Sequence, residues 1–434
     1  MIYHLFEYLQ QFDIPGGRLM NYLSFRAILA SVTAMAISLL VGKRIIDVLQ
    51  RKQIGETIRD LGLEGQMQKK GTPTMGGVII ILGIVVPVLL FCNLRSIYVL
   101  LLLLTTLWCG AIGFTDDYIK VFRHNKEGMS ERWKLILQVM LGFAIGLTVC
   151  YNPDIVVREK VADTSVYVEE NSSNVDVNSE RVITSGSWKT EDVVKSTKTT
   201  IPFVKSHEFD YKVLSPFSGK WGWYAKWAIY VLMIILVITA CSNGTNLTDG
   251  MDGLSAGTSA IVGVVIGILA WLSGNLIDSN YLNIMYIPGT GEIAIFMSAF
   301  VGSLIGFLWY NSYPAQVFMG DTGSLTIGGI IGVSAVLMRK ELLIPLLCGV
   351  FFAESLSVLL QRFYFKFTKK RKGVGTRIWS MTPLHHHYQD KKAPDGPVIF
   401  AKPVPPQHEA KITVRFWIVG IILAVSTLAL LKIR

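Results

Sequence analysis

Charge and cysteine are both scarce in this sequence of 434 residues, and each scarcity excludes a class of protein. Asp, Glu, Lys and Arg make up only 17% of the residues, whereas a soluble chain of this length has charge every few positions. The cysteines show neither metal-site spacing nor a disulfide framework, and we interpret them as small buried apolar residues. The first twenty residues lack the basic start and apolar core of a cleavable signal peptide. The five cysteines are Cys92, Cys109, Cys150, Cys241 and Cys348.

Long uncharged stretches occupy most of the chain. Hydrophobic residues make up 51% of it, and the mean hydropathy is +0.45. About 20 apolar residues in a helix cross the roughly 30 Å core of a membrane, where a backbone has to bond within its own helix. The sequence therefore predicts an all-α fold, a single integral membrane domain over residues 1–434. We place about ten spans near residues 21–42, 75–94, 97–115, 132–151, 222–242, 254–273, 291–310, 324–338, 342–362 and 412–432.

The basic residues concentrate in loops that follow odd-numbered spans, and this predicts the orientation. The three most basic loops cover residues 43–70, 120–132 and 366–377. Cytoplasmic loops carry such an excess of Lys and Arg, so this face is predicted to be cytoplasmic and both termini are predicted to lie outside. The net charge of +10 suits anionic lipid headgroups or a phosphorylated substrate, and we expect no nucleic-acid partner.

Residues 152–220 form a polar insert between predicted spans four and five. The segment is rich in Ser, Thr, Val, Asp and Glu, and two of its stretches alternate in the manner of strands. Span counting places it on the extracytoplasmic (periplasmic) side, since long translocated segments need not follow the charge bias. We expect the insert to lie far from the chemistry, and its composition indicates no function.

Two acidic residues stand at the cytoplasmic end of span three, in the string TDDYIK. They are Asp116 and Asp117, with Lys120 close behind. Neighbouring residues on a helix point about 100° apart, so one carboxylate can face a site while the other orients a lysine or a metal. Ionisable residues within membrane-spanning segments are usually functional. The alternative is a helix end whose charges are simply solvated.

The string NGTNLTDGMDGL lies between spans five and six and is dense in oxygen donors. Asn243, Asn246, Asp249 and Asp252 supply the hard ligands that suit Mg²⁺. The glycines allow the backbone to approach a phosphate or a base closely. An ordinary turn is the alternative, but a turn needs only one Asn-Gly or Asp-Gly pair.

The string WYNSYPAQVFMGDTGSL joins spans seven and eight on the same predicted face. Asp321 stands just before an apolar helix, where it either caps that helix or binds Mg²⁺. Asn311 and Phe318 lie nearby, and we expect them to hold a planar base.

Two further strings on this face carry candidate phosphate contacts. In MTPLHHHYQD, His385, His386 and His387 fit donors to phosphate better than zinc ligands, since adjacent residues do not readily ligate one ion. In QKKGTPTMGG, Lys69 and Thr74 offer phosphate contacts, although the spacing is not that of a P-loop.

Carboxylates, lysines and histidines on one face predict phosphoryl transfer, a reaction that depends mainly on positioning and charge neutralisation, with Mg²⁺ as cofactor. An ion-coupled transporter is the alternative class. Transporters place such groups near the membrane midplane, often in two related halves. Here the acids stand at span ends, and no clear internal repeat is visible.

The strings also resemble, in order and spacing, the motifs of the polyprenyl-phosphate N-acetylhexosamine-1-phosphate transferase superfamily. The matching strings are GTPTMGG, DDYIK, NxxNLTDGxDGL, NSYPAQVFMGDTGSL and PLHHHY. Within this superfamily, the uninterrupted HHH string and the NLTDG string favour the phospho-N-acetylmuramoyl-pentapeptide-transferase family over sister transferases that use another UDP-amino sugar. The resemblance covers nearly the whole chain except the insert, which family members generally lack at this length.

The resemblance implies a reaction between UDP-N-acetylmuramoyl-pentapeptide and undecaprenyl phosphate that gives lipid I and UMP with Mg²⁺. It implies a ten-helix homodimer in the bacterial inner membrane, with a cytoplasmic active site. Asp321 would bind Mg²⁺, with Asn246 or Asp117 as further ligands, and Asp116 and Asp117 would be an essential pair. The residues expected around the donor are Lys69, Thr74, Asn243, Asn246, Asp249, Asp252, Asn311 and Phe318. Lys120 and the three histidines would meet phosphates or the sugar.

Overall fold

Helices account for most of the protein in the computed structural model, which describes residues 1–9, 12, 17–51, 71–123, 125, 127–160, 188–202, 208–389, 396–400 and 407–431. The helices are α1 (Ile2–Leu9), α2 (Leu23–Arg51), α3 (Gly77–Phe91), α4 (Ile97–Phe122), α5 (Glu131–Tyr151), α6 (Gly219–Thr248), α7 (Leu254–Gly274), α8 (Leu276–Leu282), α9 (Gly291–Asn311), α10 (Gly320–Leu337), α11 (Ile344–Leu347), α12 (Gly349–Lys372), α13 (Leu384–Gln389) and α14 (Glu409–Leu430). The strands are short: β1 (Val157–Lys160), β2 (Trp188–Val194), β3 (Lys198–Thr200), β4 (Glu208–Asp210), β5 (Arg377–Trp379) and β6 (Val398–Phe400).

Each of the ten predicted spans overlaps a helix, and the polytopic helical membrane fold is confirmed. Among the described residues, eight helices are long and apolar enough to cross a membrane alone: α2, α4, α5, α6, α7, α9, α10 and α14. The second span, α3, has 15 residues, about 22 Å at 1.5 Å per residue. The ninth span is a pair, Glu341–Leu347 and α12, bent by 79°. The count of ten crossings therefore stays a prediction.

Four helices extend further than the sequence predicted. The α2 helix ends at Arg51 instead of near residue 42, and α4 ends at Phe122 instead of near 115. The α6 helix ends at Thr248 instead of near 242, and α12 ends at Lys372 instead of near 362. Polar residues do not interrupt the backbone bonds of a helix, so the first polar residue is a poor marker of its end. Asp116, Asp117, Asn243 and Asn246 consequently project from helices, which fixes their directions more tightly than loops would.

The α10 helix lies at the centre of the bundle, and small residues let its neighbours approach. Every residue from Thr322 to Leu337 is buried. A Cβ added to Gly77 would lie 2.1 Å from the backbone nitrogen of Gly323, and one added to Gly113 would lie 2.2 Å from the carbonyl oxygen of Asp321. Close packing through glycine is typical of membrane helices. Both α3 and α4 thus contact the first turn of α10.

The helix ends meet in two clusters, and α10 runs from one to the other. At the acidic face (residues 113–123, 127–134, 246–253 and 311–323), the ends of α4, α6 and α9 meet the starts of α5, α7 and α10. At the insert face (residues 150–158, 195–202, 208–214, 286–292 and 339–341), the start of α2 contacts the start of α9 through Arg26 and Glu292, 2.7 Å apart. The four acidic and histidine-bearing strings all lie at the acidic end of the bundle.

The described part of the insert packs on the insert face. It forms two antiparallel pairs, β1 with β2 and β3 with β4. Thr200 donates its backbone N–H to the carbonyl of Arg339 at 2.9 Å, and Lys340 Nζ donates to Thr200 Oγ1 at 2.6 Å. The Tyr211 hydroxyl donates to Glu341 Oε1 at 3.2 Å, and burial raises the pKa of Tyr211, so this donor stays protonated. The insert therefore contacts the end of α10 that is remote from Asp321.

Candidate active site

Asp117 of α4 caps the start of α10. Its Oδ1 accepts the N–H of Asp321 at 3.1 Å, and its Oδ2 accepts the N–H and the hydroxyl of Thr322 at 2.9 and 2.6 Å. The first N–H groups of any helix lack partners within the helix, and a carboxylate there also interacts favourably with the helix dipole. A side chain in Gly320, which has a φ of +72°, would collide with this carboxylate. Asp117 thus fixes α10 against α4.

Asp321 lies in the first turn of α10 and is surrounded by donors. Lys134 Nζ lies 2.6 Å from Asp321 Oδ2, and Lys120 Nζ lies 3.3 Å from the same oxygen. Asn246 of α6 donates from Nδ2 to Asp321 Oδ1 at 2.8 Å and to Ser324 Oγ at 2.9 Å. Helices α4, α5 and α6 therefore all contribute a side chain to one carboxylate.

Asp116 is fully buried and shares both lysines. Lys120 Nζ lies 2.6 Å from its Oδ2, and Lys134 Nζ lies 2.9 Å from its Oδ1. The backbone N–H of Met129, in the loop between α4 and α5, donates to Oδ1 at 2.7 Å. The loop can approach because Gly128 has a φ of +67°, and its Cβ would lie 2.5 Å from that oxygen. The α4–α5 hairpin is thus closed around Asp116.

The three aspartates form one cluster that suits a divalent cation. Each offers a carboxylate oxygen, and these oxygens lie within 4.8 Å of one another. Oxygen donors of this kind are the usual ligands of Mg²⁺. Two lysine ammonium groups already balance part of the negative charge. Asp117 is bonded to backbone and hydroxyl groups of α10, whereas the partners of Asp116 and Asp321 include two lysine ammonium groups that a cation can displace. Asp116 and Asp321 are therefore better placed to bind a cation than Asp117.

Lys134 is the residue that the sequence interpretation missed. It stands in the first turn of α5, two positions after Arg132, which was grouped with the basic loop. A lysine within an otherwise apolar span is the signal that could have identified it, since such groups face the bundle interior and pair. The α4–α5 hairpin then brings it to both acids.

The 72–77 segment packs alongside the segment that leads into α10. Phe318 donates its N–H to the carbonyl of Pro73, and Gly76 donates to the carbonyl of Phe318, both at 2.8 Å. Thr74 is buried, and its hydroxyl lies 3.1 Å from the position of a Cβ added to Gly320. Thr74 and Phe318 are therefore beside the cluster. Lys69 lies outside the described residues, so its predicted contact stays a prediction.

The side chains of Asn311 and Asp252 form hydrogen bonds with backbone groups of neighbouring segments. Asn311 Oδ1 accepts the N–H of Gly253 at 3.1 Å, and its Nδ2 donates to the carbonyl of Val317 at 2.9 Å. Asp252 Oδ2 accepts the N–H of Ala315 at 3.0 Å. These contacts join the turn after α6 to the loop before α10. Both polar atoms of the Asn311 amide are bonded to backbone in this arrangement, and its expected contact with a planar base stays a prediction.

Asn243 and Asp249 are placed differently from Asn246 on the same helix. Asn243 Nδ2 donates to Gln138 Oε1 of α5 at 2.8 Å and to the carbonyl of Thr239 at 2.9 Å, so its donor contacts are with α5 and with its own helix. Asp249 is the residue immediately after α6 and is half-buried. Of the four Asn and Asp residues in this string, the structure brings Asn246 to Asp321.

The three histidines do not form an equivalent row of exposed donors. His385 and His387 are buried, at 0% and 6% exposure, and only His386 is half-buried. His385 Nδ1 lies 3.2 Å from Glu354 Oε2, and His387 Nδ1 accepts the N–H of Ser380 at 3.3 Å. His385 and His387 therefore pack inside the protein, with the His385 ring against Gly250 in the turn that follows α6. The expected contacts of the three histidines with phosphate stay a prediction.

Known proteins match this chain along its whole length. The Glycosyl transferase family 4 profile matches residues 193–339, and the Phospho-N-acetylmuramoyl-pentapeptide-transferase signature 1 matches residues 69–81. Proteins named phospho-N-acetylmuramoyl-pentapeptide-transferase from Parabacteroides distasonis, Porphyromonas gingivalis and Flavobacterium psychrophilum are 54%, 52% and 52% identical to it. Each alignment covers 100% of both chains. The insert is therefore not peculiar to this chain, and the expectation that family members lack it is wrong for these relatives.

Proposed function

The chain belongs to the phospho-N-acetylmuramoyl-pentapeptide-transferase family, and from this premise we propose that it makes lipid I. It transfers phospho-N-acetylmuramoyl-pentapeptide from the UDP-linked donor to undecaprenyl phosphate and releases UMP, with Mg²⁺ as cofactor. The observation that carries the proposal is the cluster at the acidic face, where Asp321 contacts Lys120, Lys134 and Asn246. An ion-coupled transporter has no support from the relatives.

The lipid phosphate attacks the sugar-proximal phosphorus of the donor directly. A phosphate monoester has a second pKa of about 6 and is mostly a dianion at neutral pH, so the attack requires no general base. An aspartate nucleophile would need an unengaged oxygen. Both oxygens of Asp117 accept hydrogen bonds from α10, and both oxygens of Asp116 lie within 3 Å of a lysine. These contacts favour direct attack over a covalent intermediate.

Charge repulsion is the main barrier that the site has to lower. Two like charges about 4 Å apart repel by about 4 kcal/mol at an effective dielectric near 20, and donor and acceptor together bring roughly four negative charges. Lys120 and Lys134 supply two positive charges here. Asp321 and Asp116 would hold Mg²⁺, with Asn246 and Asp117 as the further predicted ligands, and the ion would neutralise charge on the phosphates. The lysines orient the phosphates and stabilise the charge that develops on them.

The acidic face is cytoplasmic in this proposal, and the enzyme acts in the bacterial inner membrane as a homodimer. The basic loops of the predicted cytoplasmic side support the orientation. The polyprenyl acceptor enters from the membrane, because its chain is apolar, and the nucleotide donor enters from water. The insert then faces the periplasm.

UMP release by the purified protein, with and without Mg²⁺, tests the proposal. We expect UMP from UDP-N-acetylmuramoyl-pentapeptide in the presence of undecaprenyl phosphate and Mg²⁺, and none when either is omitted. Asp321→Asn should abolish turnover while the protein still inserts. Asp154→Asn, which alters an exposed acid at the insert face, is the matched control and should retain full activity.

Three other results would contradict parts of the proposal. If UMP appears only with a different UDP-amino sugar, the protein is a sister transferase. If radiolabelled donor leaves a phosphorylated or glycophosphorylated aspartate on the protein, direct attack is wrong. Normal turnover in Asp321→Asn would refute the assigned site.

A further inference from the structure

Two buried glutamates lie near the site without contacting the aspartate cluster. Glu354 belongs to α12 and is 0% exposed, and Glu409 starts α14 and is 5% exposed. Burying a carboxylate costs free energy unless it is hydrogen-bonded or paired. Their partners therefore indicate which parts of the molecule they hold together.

Glu354 holds the first turn of the histidine helix, α13. Its Oε1 and Oε2 lie 3.2 and 3.4 Å from the backbone nitrogen of His385, which donates to them. The His385 ring nitrogen Nδ1 lies 3.2 Å from Oε2. The carboxylate thus accepts from the backbone of His385 and lies beside its ring, which fixes the position of the first turn of α13.

Glu409 holds the other end of α13 and also the turn that follows α6. Its Oε1 accepts the backbone N–H of Asp252 at 2.8 Å, and its Oε2 accepts from Gln389 Nε2 at 3.5 Å. Gln389 is the last residue of α13. Glu409 therefore connects α13 to the Asp249–Gly253 turn.

The His385 ring presses directly on that turn. A Cβ added to Gly250 would lie 2.3 Å from His385 Nε2, so the ring and the turn are in contact and only glycine fits. Gly250 lies two residues beyond the end of α6 and four residues after Asn246, whose amide donates to Asp321 Oδ1 at 2.8 Å. A shift of the turn would move the end of α6, and with it the side chain that contacts Asp321.

We propose that Glu354 and Glu409 are positioning residues that clamp α13 against the Asp249–Gly253 turn and thereby hold Asn246 on Asp321. The inference rests on the proposed transferase function, in which Asp321 is central. Neither glutamate touches the cluster, and both act through the end of α6. Their removal should lower kcat, because the contact of Asn246 with Asp321 is disturbed. It should also raise KM for the donor, because Asp249, Asp252 and His385 are predicted donor contacts.

The test uses Glu354→Gln and Glu409→Gln in two backgrounds, wild type and Asn246→Ala. In wild type, each should lower kcat for UMP release about tenfold, the scale of one lost charged hydrogen bond. In Asn246→Ala, each should lower kcat by less than about twofold, since contacts that act through one residue are not additive. Glu341→Gln is the matched control: this buried glutamate contacts Tyr211 at the insert face, and its effect on kcat should be the same in both backgrounds.

Hydrogen–deuterium exchange separates this inference from the proposed function. Amides of residues 246–253 should exchange faster in Glu354→Gln and Glu409→Gln, and those of residues 208–214 should exchange faster in Glu341→Gln instead. If the wild type releases no UMP, the proposed function fails and the exchange result still tests the clamp. Unchanged exchange at residues 246–253, or an equal loss of kcat in both backgrounds, would overturn the clamp.

Discussion

Replacing Lys134 by methionine should make the site bind Mg²⁺ more tightly and yet turn over more slowly. Methionine keeps the length and the apolar stem of lysine and removes its charge. In the structure the Lys134 ammonium lies 2.9 Å from Asp116 and 2.6 Å from Asp321. It therefore competes with a cation for the same two carboxylates, and it also supplies positive charge to a bound phosphate.

The size of both effects follows from the charges. Carboxylate oxygens within 4.8 Å of one another repel by about 3–4 kcal/mol at an effective dielectric near 20. Removing one partner from a buried ion pair costs about 3–5 kcal/mol, but Lys120 remains 2.6 Å from Asp116 and 3.3 Å from Asp321 and compensates in part. We take a net change of about 1.5–3 kcal/mol, which is about a 10- to 100-fold lower apparent Mg²⁺ requirement. Loss of one donor to the developing charge lowers kcat by about 10²–10³.

The assay is UMP release by purified protein, titrated with MgCl₂ at saturating donor and acceptor. Arg132→Met is the matched control, because it removes the same charge two residues earlier on an exposed part of α5 and should change both parameters by less than about twofold. If Lys134→Met needs the same or more Mg²⁺ than wild type, the lysine does not share the cation site. The electrostatic reasoning would then be refuted even if kcat fell.

Two further substitutions probe the surroundings of the site. Gly250→Ala places a Cβ 2.3 Å from His385 Nε2 and should lower the free energy of unfolding by about 1–3 kcal/mol, which is measured as a lower Tm in detergent. Gly267→Ala is the control, because its added Cβ meets Met297 at an ordinary 3.5 Å and should not lower the Tm. Equal Tm values for the two variants would contradict the contact between Gly250 and His385. Lys195→Ala removes the bond from Lys195 Nζ to the carbonyl of Cys150 at the insert face (2.7 Å) and should leave UMP release within about twofold; a large loss would contradict the separation of the insert from the site.

Hydropathy and span counting were enough to predict the fold class and the face on which the polar strings meet. The reason is physical: the cost of exposing a backbone to lipid dictates helices, and alternation of helices places every second loop at the same end. Asp116, Lys120 and Asp321 follow from this, because each stands at a helix end on that face. No detailed knowledge of side-chain packing was needed to bring these residues together.

The direction of each side chain could not be predicted from the sequence, and the differences between the expected and the observed contacts follow from that. Asn243 and Asn246 are three residues apart on α6, yet one bonds Gln138 and the other bonds Asp321. Which of them faces the site depends on the rotation of α6 about its own axis, which neighbouring helices set. The histidines were predicted to contact phosphate because they follow a basic loop. In the structure His385 is buried and bonded through its backbone to Glu354, which lies 31 residues earlier in the sequence.

Asp117 shows why an essential residue at such a site need not be a catalytic one. A carboxylate that accepts three hydrogen bonds from the first turn of α10 sets the position of Asp321, the first acid on that helix. Removing it would leave buried N–H groups unsatisfied, at about 1–3 kcal/mol each, and would displace Asp321 in the same step. Loss of activity on replacing Asp117 is therefore expected whether or not Asp117 touches substrate or metal. Only the contacts of Asp321 and Asp116 with the two lysines point to the chemistry itself.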